Sequence, residues 1–155
     1  MEHNFEHLSA HILPLSDAST FSEAKNEWKL VGVAMHEELN HCPCGKQIKE
    51  LCHLKNKLNR NKTFVGNVCV NQFLGIETGN LFAGLKRIAL DDTANANEDL
   101  IRHAYDMGYI YSEQEYNFLM QTKNKRNFSL AQLSWKQKIN RRIVKQTVVG
   151  KWRAV

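Results

Sequence analysis

The residues whose types and spacing point most directly to chemistry are the cysteines. Three lie in HCPCGKQIKELC, residues 41–52, and the fourth follows in VGNVC. Zn²⁺ prefers four thiolate or imidazole ligands in a tetrahedron, and four thiols this close along the chain suit such a site. We therefore expect a structural zinc ion held by Cys42, Cys44, Cys52 and Cys69.

The assignment of Cys52 as the fourth ligand has alternatives. Cys52 shares one face of an alternating segment with Ile48 and Leu54, and buried free cysteines are common on such faces. An imidazole could take its place as the fourth ligand. The candidates are His36, His41 and His53.

Neither disulfides nor catalysis is expected from these thiols. No apolar run approaches the roughly 20 residues of a membrane span, and the N-terminus lacks the features of a secretory signal. We therefore expect a cytoplasmic protein with no membrane partner, in a reducing compartment where disulfides are disfavoured. A metal ion with four protein ligands has no open position for water, so we expect no enzymatic activity from it.

The segments around the cysteines predict a hairpin between a tight turn and a helix. In CPCG, Pro43 restricts one backbone angle and Gly45 can adopt a positive φ. IKELCHLKN and KTFVG alternate as strands, the Asn-rich residues 56–61 connect them, and VNQFLG begins a helix. A turn, a hairpin and a thiol at a helix start follow the order of a treble-clef zinc site.

The remaining segments are mostly helical. A first helix ends before Pro14, Thr20 and Glu23 match a capping box, and residues 30–35 predict a strand. Further helices are predicted within 79–90, 97–108, 112–122 and 129–146. The predicted fold class is α+β, with a small zinc-binding, treble-clef-like hairpin core, one N-terminal helix and a mostly helical C-terminal half. The predicted boundaries are 1–18 for a flexible N-terminal segment, 19–76 for the zinc-binding core, 77–147 for the helical region and 148–155 for a basic tail.

The net charge of +5 is unevenly distributed along the chain. Residues 46–62 are rich in Lys and Arg, and no acidic side chain follows Glu115. Two basic segments beside an acidic front indicate an anionic partner. On the last helix one side is apolar, around Trp135 and Ile139, and the opposite side is basic. The predicted phosphate contacts are Lys55, Lys57, Arg60 and Lys62 in the hairpin, and Lys138, Arg141, Arg142 and Lys145 on that helix.

The chain also resembles a group of small proteins encoded by bacteriophages and bacterial genomes. The resemblance covers EWKLV, CPCGKQIKELCHLKNKLNRNKTFVGNVCVNQFLG, LFAGLKRIA and KRNFSLAQLSWKQKIN, spanning residues 27–143. By motif position it implies zinc ligands at Cys42, Cys44, Cys52 and Cys69. It also implies a phage or mobile-element setting, and hence a bacterial host cytosol.

The sequence therefore predicts a phage-type, zinc-stabilised nucleic-acid-binding protein. Zinc would hold the basic hairpin rigid, and Trp152 could stack on unpaired bases. Trp135 could do so as well, although a core position is the favoured expectation for it. The main alternative is a protein-interaction module that binds and modulates a host protein. A ββα-metal nuclease with His53 as its base is less favoured, because VNQFLG supplies no histidine to bind a catalytic metal.

Overall fold

The structure of the protein is a computed structural model that describes the backbone of residues 2–151 and the side chains of residues 5–151. The chain divides into two compact units, Met1–Thr78 and Gly79–Val155. The cysteines and all the strands lie in the first unit, and the second is helical over its described residues. Trp152 and the rest of the predicted basic tail after residue 151 lie outside the described residues.

The first unit contains a three-stranded antiparallel sheet with the strand order β1-β2-β3. Its elements are α1 (Glu2–Ile12), a 3-10 turn (Leu13–Leu15), α2 (Phe21–Ala24), a second 3-10 turn (Lys25–Glu27), β1 (Trp28–His41), β2 (Gln47–Asn56), β3 (Lys62–Gly66) and α3 (Asn67–Leu74). The predicted hairpin and the helix that follows it are confirmed. With the helices of the second unit, they also confirm the predicted α+β class.

β1 is longer than the strand predicted over residues 30–35. It pairs with β2 over most of its length, with a shift of register between Met35 and Asn40. Only the first half of β1 is apolar, whereas the residues after Met35 are mostly polar and exposed. A strand prediction that relies on a run of apolar residues therefore recognises only the first half of β1.

Helix α1 occupies much of residues 1–18, the segment predicted to be flexible, and matches the helix predicted to end before Pro14. Leu8 and Ile12 are both 0% exposed. His11 Nε2 lies 2.6 Å from the hydroxyl oxygen of Thr63 on β3. Apolar residues four positions apart lie on one side of a helix, so this short helix has a stripe that can be buried.

The second unit is built from four helices within its described residues. They are α4 (Gly79–Leu90), α5 (Glu98–Asp106), α6 (Glu113–Thr122) and α7 (Leu130–Lys145). Asn97, Ser112 and Ser129 each accept a backbone N–H at a helix start, so α5, α6 and α7 begin where the sequence predicts them. In the described part of the chain, every helix is too short or too polar to cross a membrane.

The buried face of α7 is partly polar. Ile139 and Ile143 are buried as predicted, but Lys136 and Asn140 are buried beside them. Asn140 Nδ2 donates to two backbone carbonyl oxygens of the loop at residues 92–94, at 2.9 and 2.8 Å. This face of α7 therefore holds the connection between α4 and α5 through hydrogen bonds as well as through apolar packing.

Candidate functional site

Three of the four cysteines form a buried cluster. The Sγ atoms of Cys42, Cys44 and Cys69 all lie within 4.8 Å of one another. These residues are 2%, 2% and 5% exposed, and all the cysteines of the chain are free thiols. Two sulfurs that bind one zinc ion tetrahedrally lie about 3.8 Å apart, so small adjustments of the side chains bring all three sulfurs to one ion. The cluster can therefore hold a metal ion.

A turn and a helix start bring these thiols together. Cys42 and Cys44 belong to the turn after β1, which is closed by hydrogen bonds of 2.8 Å from Gly45 N to Cys42 O and from Cys42 N to Lys46 O. Gly45 has a φ of 98°, which residues with a side chain rarely adopt. Cys69 lies in the first turn of α3, directly after β3. The predicted order of turn, hairpin and helix is therefore present.

Hydrogen bonds to Cys42 favour its thiolate form. The Cys69 thiol donates to Cys42 Sγ, and so do the backbone N–H groups of Cys44 and Gly66, the last with a N–S distance of 3.3 Å. These bonds lower the pKa of Cys42, although its burial acts in the opposite sense. The pKa of Cys69 is raised because its thiol is the donor to Cys42 and is itself buried. Because the thiolate is the form that binds a metal ion, this arrangement favours a bound cation.

The structure does not bring Cys52 into this cluster. Cys52 is 0% exposed on the central strand β2, where its Cα partners are Val33 and Val65. Burial raises the pKa of the Cys52 thiol to about 12, and the Thr78 hydroxyl acts in the opposite sense. A buried, protonated thiol is a packing residue. The predicted ligand set is therefore corrected to three thiols, because β2 encloses Cys52 in the core of the sheet.

The three histidines named as rivals of Cys52 also lie outside the cluster. His36, His41 and His53 are exposed residues of β1 and β2. Among the residues whose side chains are described, no His, Asp or Glu atom joins the three close sulfurs. Burial lowers the pKa of His53, and the neighbouring His36 adds to this effect. The cluster therefore offers three ligands to a metal ion.

Asparagine side chains hold the basic loop between β2 and β3. Asn56 is 0% exposed, and its Oδ1 accepts the backbone N–H groups of Leu58 at 2.8 Å and Asn59 at 3.2 Å. The side-chain amides of Asn59 and Asn61 each donate to the carbonyl oxygen of Leu15 at 3.0 Å. The conformation of the loop is therefore fixed by its own amides and by the 3-10 turn after α1.

The buried carboxylate of Glu27 anchors this network and is not among the functional residues predicted from the sequence. Glu27 is 5% exposed and accepts the Asn56 amide at 2.9 Å and the backbone N–H groups of Asp17 and Ala18 at 2.8 Å each. The hydrogen bond from Asn56 and those from the backbone lower the pKa of Glu27 against the effect of burial. The run of asparagines in the loop was the one sequence feature that could have indicated such a network, because buried amides need hydrogen-bond partners.

The cysteine cluster lies away from this loop, which zinc was predicted to hold rigid. Gly66 contacts the cluster at one end of β3, and Lys62 adjoins the loop at the other end. A strand of five residues spans about 13 Å between its end residues. The cysteines therefore join the far end of the hairpin to α3, and the asparagines fix the loop.

The cations of the loop extend from this framework. Lys57, Arg60 and Lys62 are exposed, and Lys55 is half-buried. Within the described residues, none of these four side chains forms an ion pair with an acidic group. Arg60 has a φ of 65°, a left-handed conformation that costs a residue with a side chain about 1 kcal/mol.

The four cations predicted on the last helix do not form one free stripe. Arg142 Nη2 lies 2.6 Å from Glu115 Oε2, with the two side chains 15% and 12% exposed, and Nη1 donates to the carbonyl oxygen of Tyr109 at 3.0 Å. Arg141 Nε donates to Asp92 Oδ2 at 2.7 Å. The prediction for Arg142 is corrected: because α6 places Glu115 beside it, its charge is neutralised inside the protein.

The two lysines of the predicted stripe are exposed. Lys138 and Lys145 form no ion pair among the described residues. Together with Arg141 they line a pocket of about 470 Å³ along α7, which Gln137 and Thr147 also line. The basic side of α7 is therefore reduced to two free lysines and one paired arginine.

Trp135 is a surface residue of α7. It is 37% exposed, and its ring stacks on that of Phe118 from α6 with a centroid distance of 4.2 Å. This contact covers one face of the indole, so at most one face is open to a base. The second tryptophan predicted to stack on bases, Trp152, lies outside the described residues.

Comparisons of the chain with protein-family models, curated proteins and solved structures gave no match. The fold and the site together define the class: an α+β protein with a buried three-thiol cluster that can hold a metal ion. The resemblance to small phage and bacterial proteins stays a prediction. The bacterial cytosol that it implies also stays one.

Proposed function

We propose that this protein is a zinc-stabilised nucleic-acid-binding protein that contacts phosphate groups through the loop between β2 and β3 and through α7. The observation that carries the proposal is the loop itself. Lys57, Arg60 and Lys62 are exposed cations, without ion pairs among the described residues, on a backbone held by the buried Asn56 amide. Cations on a rigid framework lose little conformational entropy on binding, and phosphate contacts supply most of the affinity for nucleic acid.

Zinc is the proposed metal, and a treble clef is the proposed local fold. Thiolates are soft ligands that favour Zn²⁺ over Mg²⁺ or Ca²⁺. Cys42 and Cys44 come from a turn, and Cys69 comes from the first turn of the helix after a hairpin. A bound zinc ion would cross-link the turn to α3 and supply stability to the first unit.

The conformation of Arg60 supports a binding role for the loop. Glycine would adopt the left-handed backbone at this position without strain. An arginine there loses stability relative to glycine in the folded state, and such strain is typical of functional positions. The guanidinium group can donate two parallel hydrogen bonds to one phosphate, which an ammonium group does not do.

The test is a salt-dependent titration. The affinity of the full chain for single-stranded and double-stranded oligonucleotides is measured by fluorescence anisotropy from low to moderate salt. The logarithm of the binding constant should fall with the logarithm of the salt concentration, with a slope of about −0.9 for each duplex phosphate neutralised. Replacing Lys57 and Lys62 by glutamine should reduce the slope by about 2 and weaken binding to all sequences alike.

A matched control removes the same charge from the other end of the hairpin. Lys46 directly precedes β2, and Lys49 lies near the start of β2. Both are exposed and lie at the opposite end of the strand from the loop. Replacing both by glutamine should leave the salt slope unchanged. Failure of the wild-type protein to bind any nucleic acid at low salt would refute the proposed function, and equal losses in the two double variants would refute the role of the loop.

One observation favours the alternative of a protein-interaction module. β1 is an edge strand, and its residues Glu37, Glu38 and Leu39 are exposed, with Leu39 at 54%. Edge strands with free backbone groups can pair with an extended segment of another protein. A pull-down of one host protein that persists after nuclease treatment and is lost on changing Leu39→Lys would favour this function. A nuclease is not proposed, because α3 has no His, Asp or Glu.

A further inference from the structure

The proposed function leaves unused a lysine in the interior of the second unit. Lys136 on α7 is 3% exposed. Its Nζ donates to Asn95 Oδ1 at 2.8 Å and lies 3.7 Å from the centre of the Phe128 ring. Both partners are uncharged, and within the described residues no carboxylate forms an ion pair with this ammonium group.

A buried ammonium group with only neutral partners is unfavourable. Burial lowers the pKa of Lys136, and the nearby Asp91 acts in the opposite sense. The Asp91 carboxylate accepts the backbone N–H and the hydroxyl of Thr93, at 3.0 and 2.6 Å. An ammonium group has three donors, and Asn95 accepts only one of them. An anion beside Nζ would supply both the missing charge and further acceptors.

Lys136 lines a pocket that is large enough for such an anion. The pocket has a volume of about 570 Å³ and is formed by the loop before α5, the loop between α6 and α7, and α7 itself. Lys125 and Arg126 are exposed residues of its lining, and Asn95 and Phe128 also line it. Three cations in one pocket outweigh the single opposing charge of Asp91, and their chemistry suits an anion with several oxygens.

We propose that this pocket binds a phosphate group, with the buried Lys136 and the exposed Arg126 as its principal cations. A lysine provides a point charge, and an arginine can donate two parallel hydrogen bonds to phosphate oxygens. The site uses none of the individual side chains assigned above to nucleic acid, so its failure and that of the proposed function can be told apart. The phosphate belongs either to a small molecule or to a nucleic-acid strand.

The experiment is isothermal titration of the full chain with inorganic phosphate in a chloride buffer of constant ionic strength. The wild-type protein should show saturable binding at one site. Lys136→Met should bind at least about tenfold more weakly, since a charged hydrogen bond of ordinary strength is lost. Lys49→Met is the charge-matched control, an exposed lysine outside this pocket, and should bind phosphate normally.

A second variant keeps the test decisive if Lys136→Met does not fold. Arg126 is exposed, so Arg126→Gln leaves the core intact and should also weaken phosphate binding several-fold. The proposal is overturned if the wild-type protein shows no saturable binding. It is equally overturned if Lys136→Met, folded, or Arg126→Gln binds phosphate as well as the wild-type protein does.

A competition arm identifies the source of the phosphate. A short single-stranded oligonucleotide that displaces inorganic phosphate from the wild-type protein assigns the pocket to a nucleic-acid strand. Binding of phosphate that the oligonucleotide leaves unchanged assigns the pocket to a small phosphorylated molecule. Loss of nucleic-acid binding in the Lys57 and Lys62 double variant, with phosphate binding retained, would show that the two sites are separate.

Discussion

Replacing Cys42 by serine should remove the stability that a bound metal ion gives to the first unit. A ligand that binds only the folded state stabilises it by about 2.7 kcal/mol when its free concentration is one hundred times its Kd. Cys42 Sγ is the sulfur that accepts hydrogen bonds from the Cys69 thiol and from Gly66 N. Without it only two clustered thiols remain, so the stabilisation by zinc should fall to nearly zero.

The assay compares the free energy of unfolding with and without zinc. Urea unfolding can be followed by tryptophan fluorescence, since Trp28 in the first unit is 3% exposed and becomes exposed on unfolding. The wild-type protein should gain about 2.7 kcal/mol from zinc at one hundred times Kd. Elemental analysis should find one zinc ion per wild-type chain and none in Cys42→Ser.

Cys52→Ala is the control, because Cys52 is buried outside the cluster. It should lower the free energy of unfolding by about 1 kcal/mol both with and without zinc, through lost packing alone. The increment due to zinc should equal that of the wild-type protein. An unchanged increment in Cys42→Ser would refute the three-thiol site, and a lost increment in Cys52→Ala would return Cys52 to the ligand set.

Three further predictions concern the loop and the second unit. Arg60→Gly should change the free energy of unfolding by less than about 1 kcal/mol, because glycine tolerates the left-handed backbone. The same variant should weaken nucleic-acid binding in an anisotropy titration, and unchanged binding would contradict the role of Arg60. Arg142→Met should lower the free energy of unfolding in urea by about 2 kcal/mol, because the half-buried Glu115 loses a charged hydrogen bond and keeps only the Tyr111 N–H; an unchanged midpoint would show that this ion pair is not stabilising. Burial lowers the pKa of His103 from 6.5 to about 4, so its neutral form contributes stability that is fully present above pH 6.5 and is lost as the pH falls towards 4, by about 3 kcal/mol. His103→Leu should flatten this decline in urea titrations at several pH values, and a parallel decline in both proteins would contradict the assignment.

Local signals in the sequence predicted most of the secondary structure. Asn97, Ser112 and Ser129 mark helix starts because a cap depends only on the next few residues. The hairpin was predictable for a similar reason, since the alternation of its strands and the Asn-rich connection are local features. The second half of β1 was missed because its exposed residues follow no apolar pattern.

The partners of charged and polar side chains could not be predicted in this way. Arg142 is placed on the basic side of α7 by helix geometry, yet Glu115 from α6 neutralises it. Lys136 is one of many basic residues in the sequence, yet it is buried against Phe128. Both outcomes depend on which helices pack together, and helical periodicity within one segment contains no information about its neighbours.

The sequence by itself determined the residue types that can bind a metal ion, the turn and helix start that present them, and the basic character of the loop. Only the tertiary structure decided that Cys42, Cys44 and Cys69 meet while Cys52 remains in the core. It also decided that asparagines linked to Glu27 hold the loop. The physical reason is that turns and caps depend on neighbours along the chain, whereas burial and ligand distances depend on segments that are far apart in sequence.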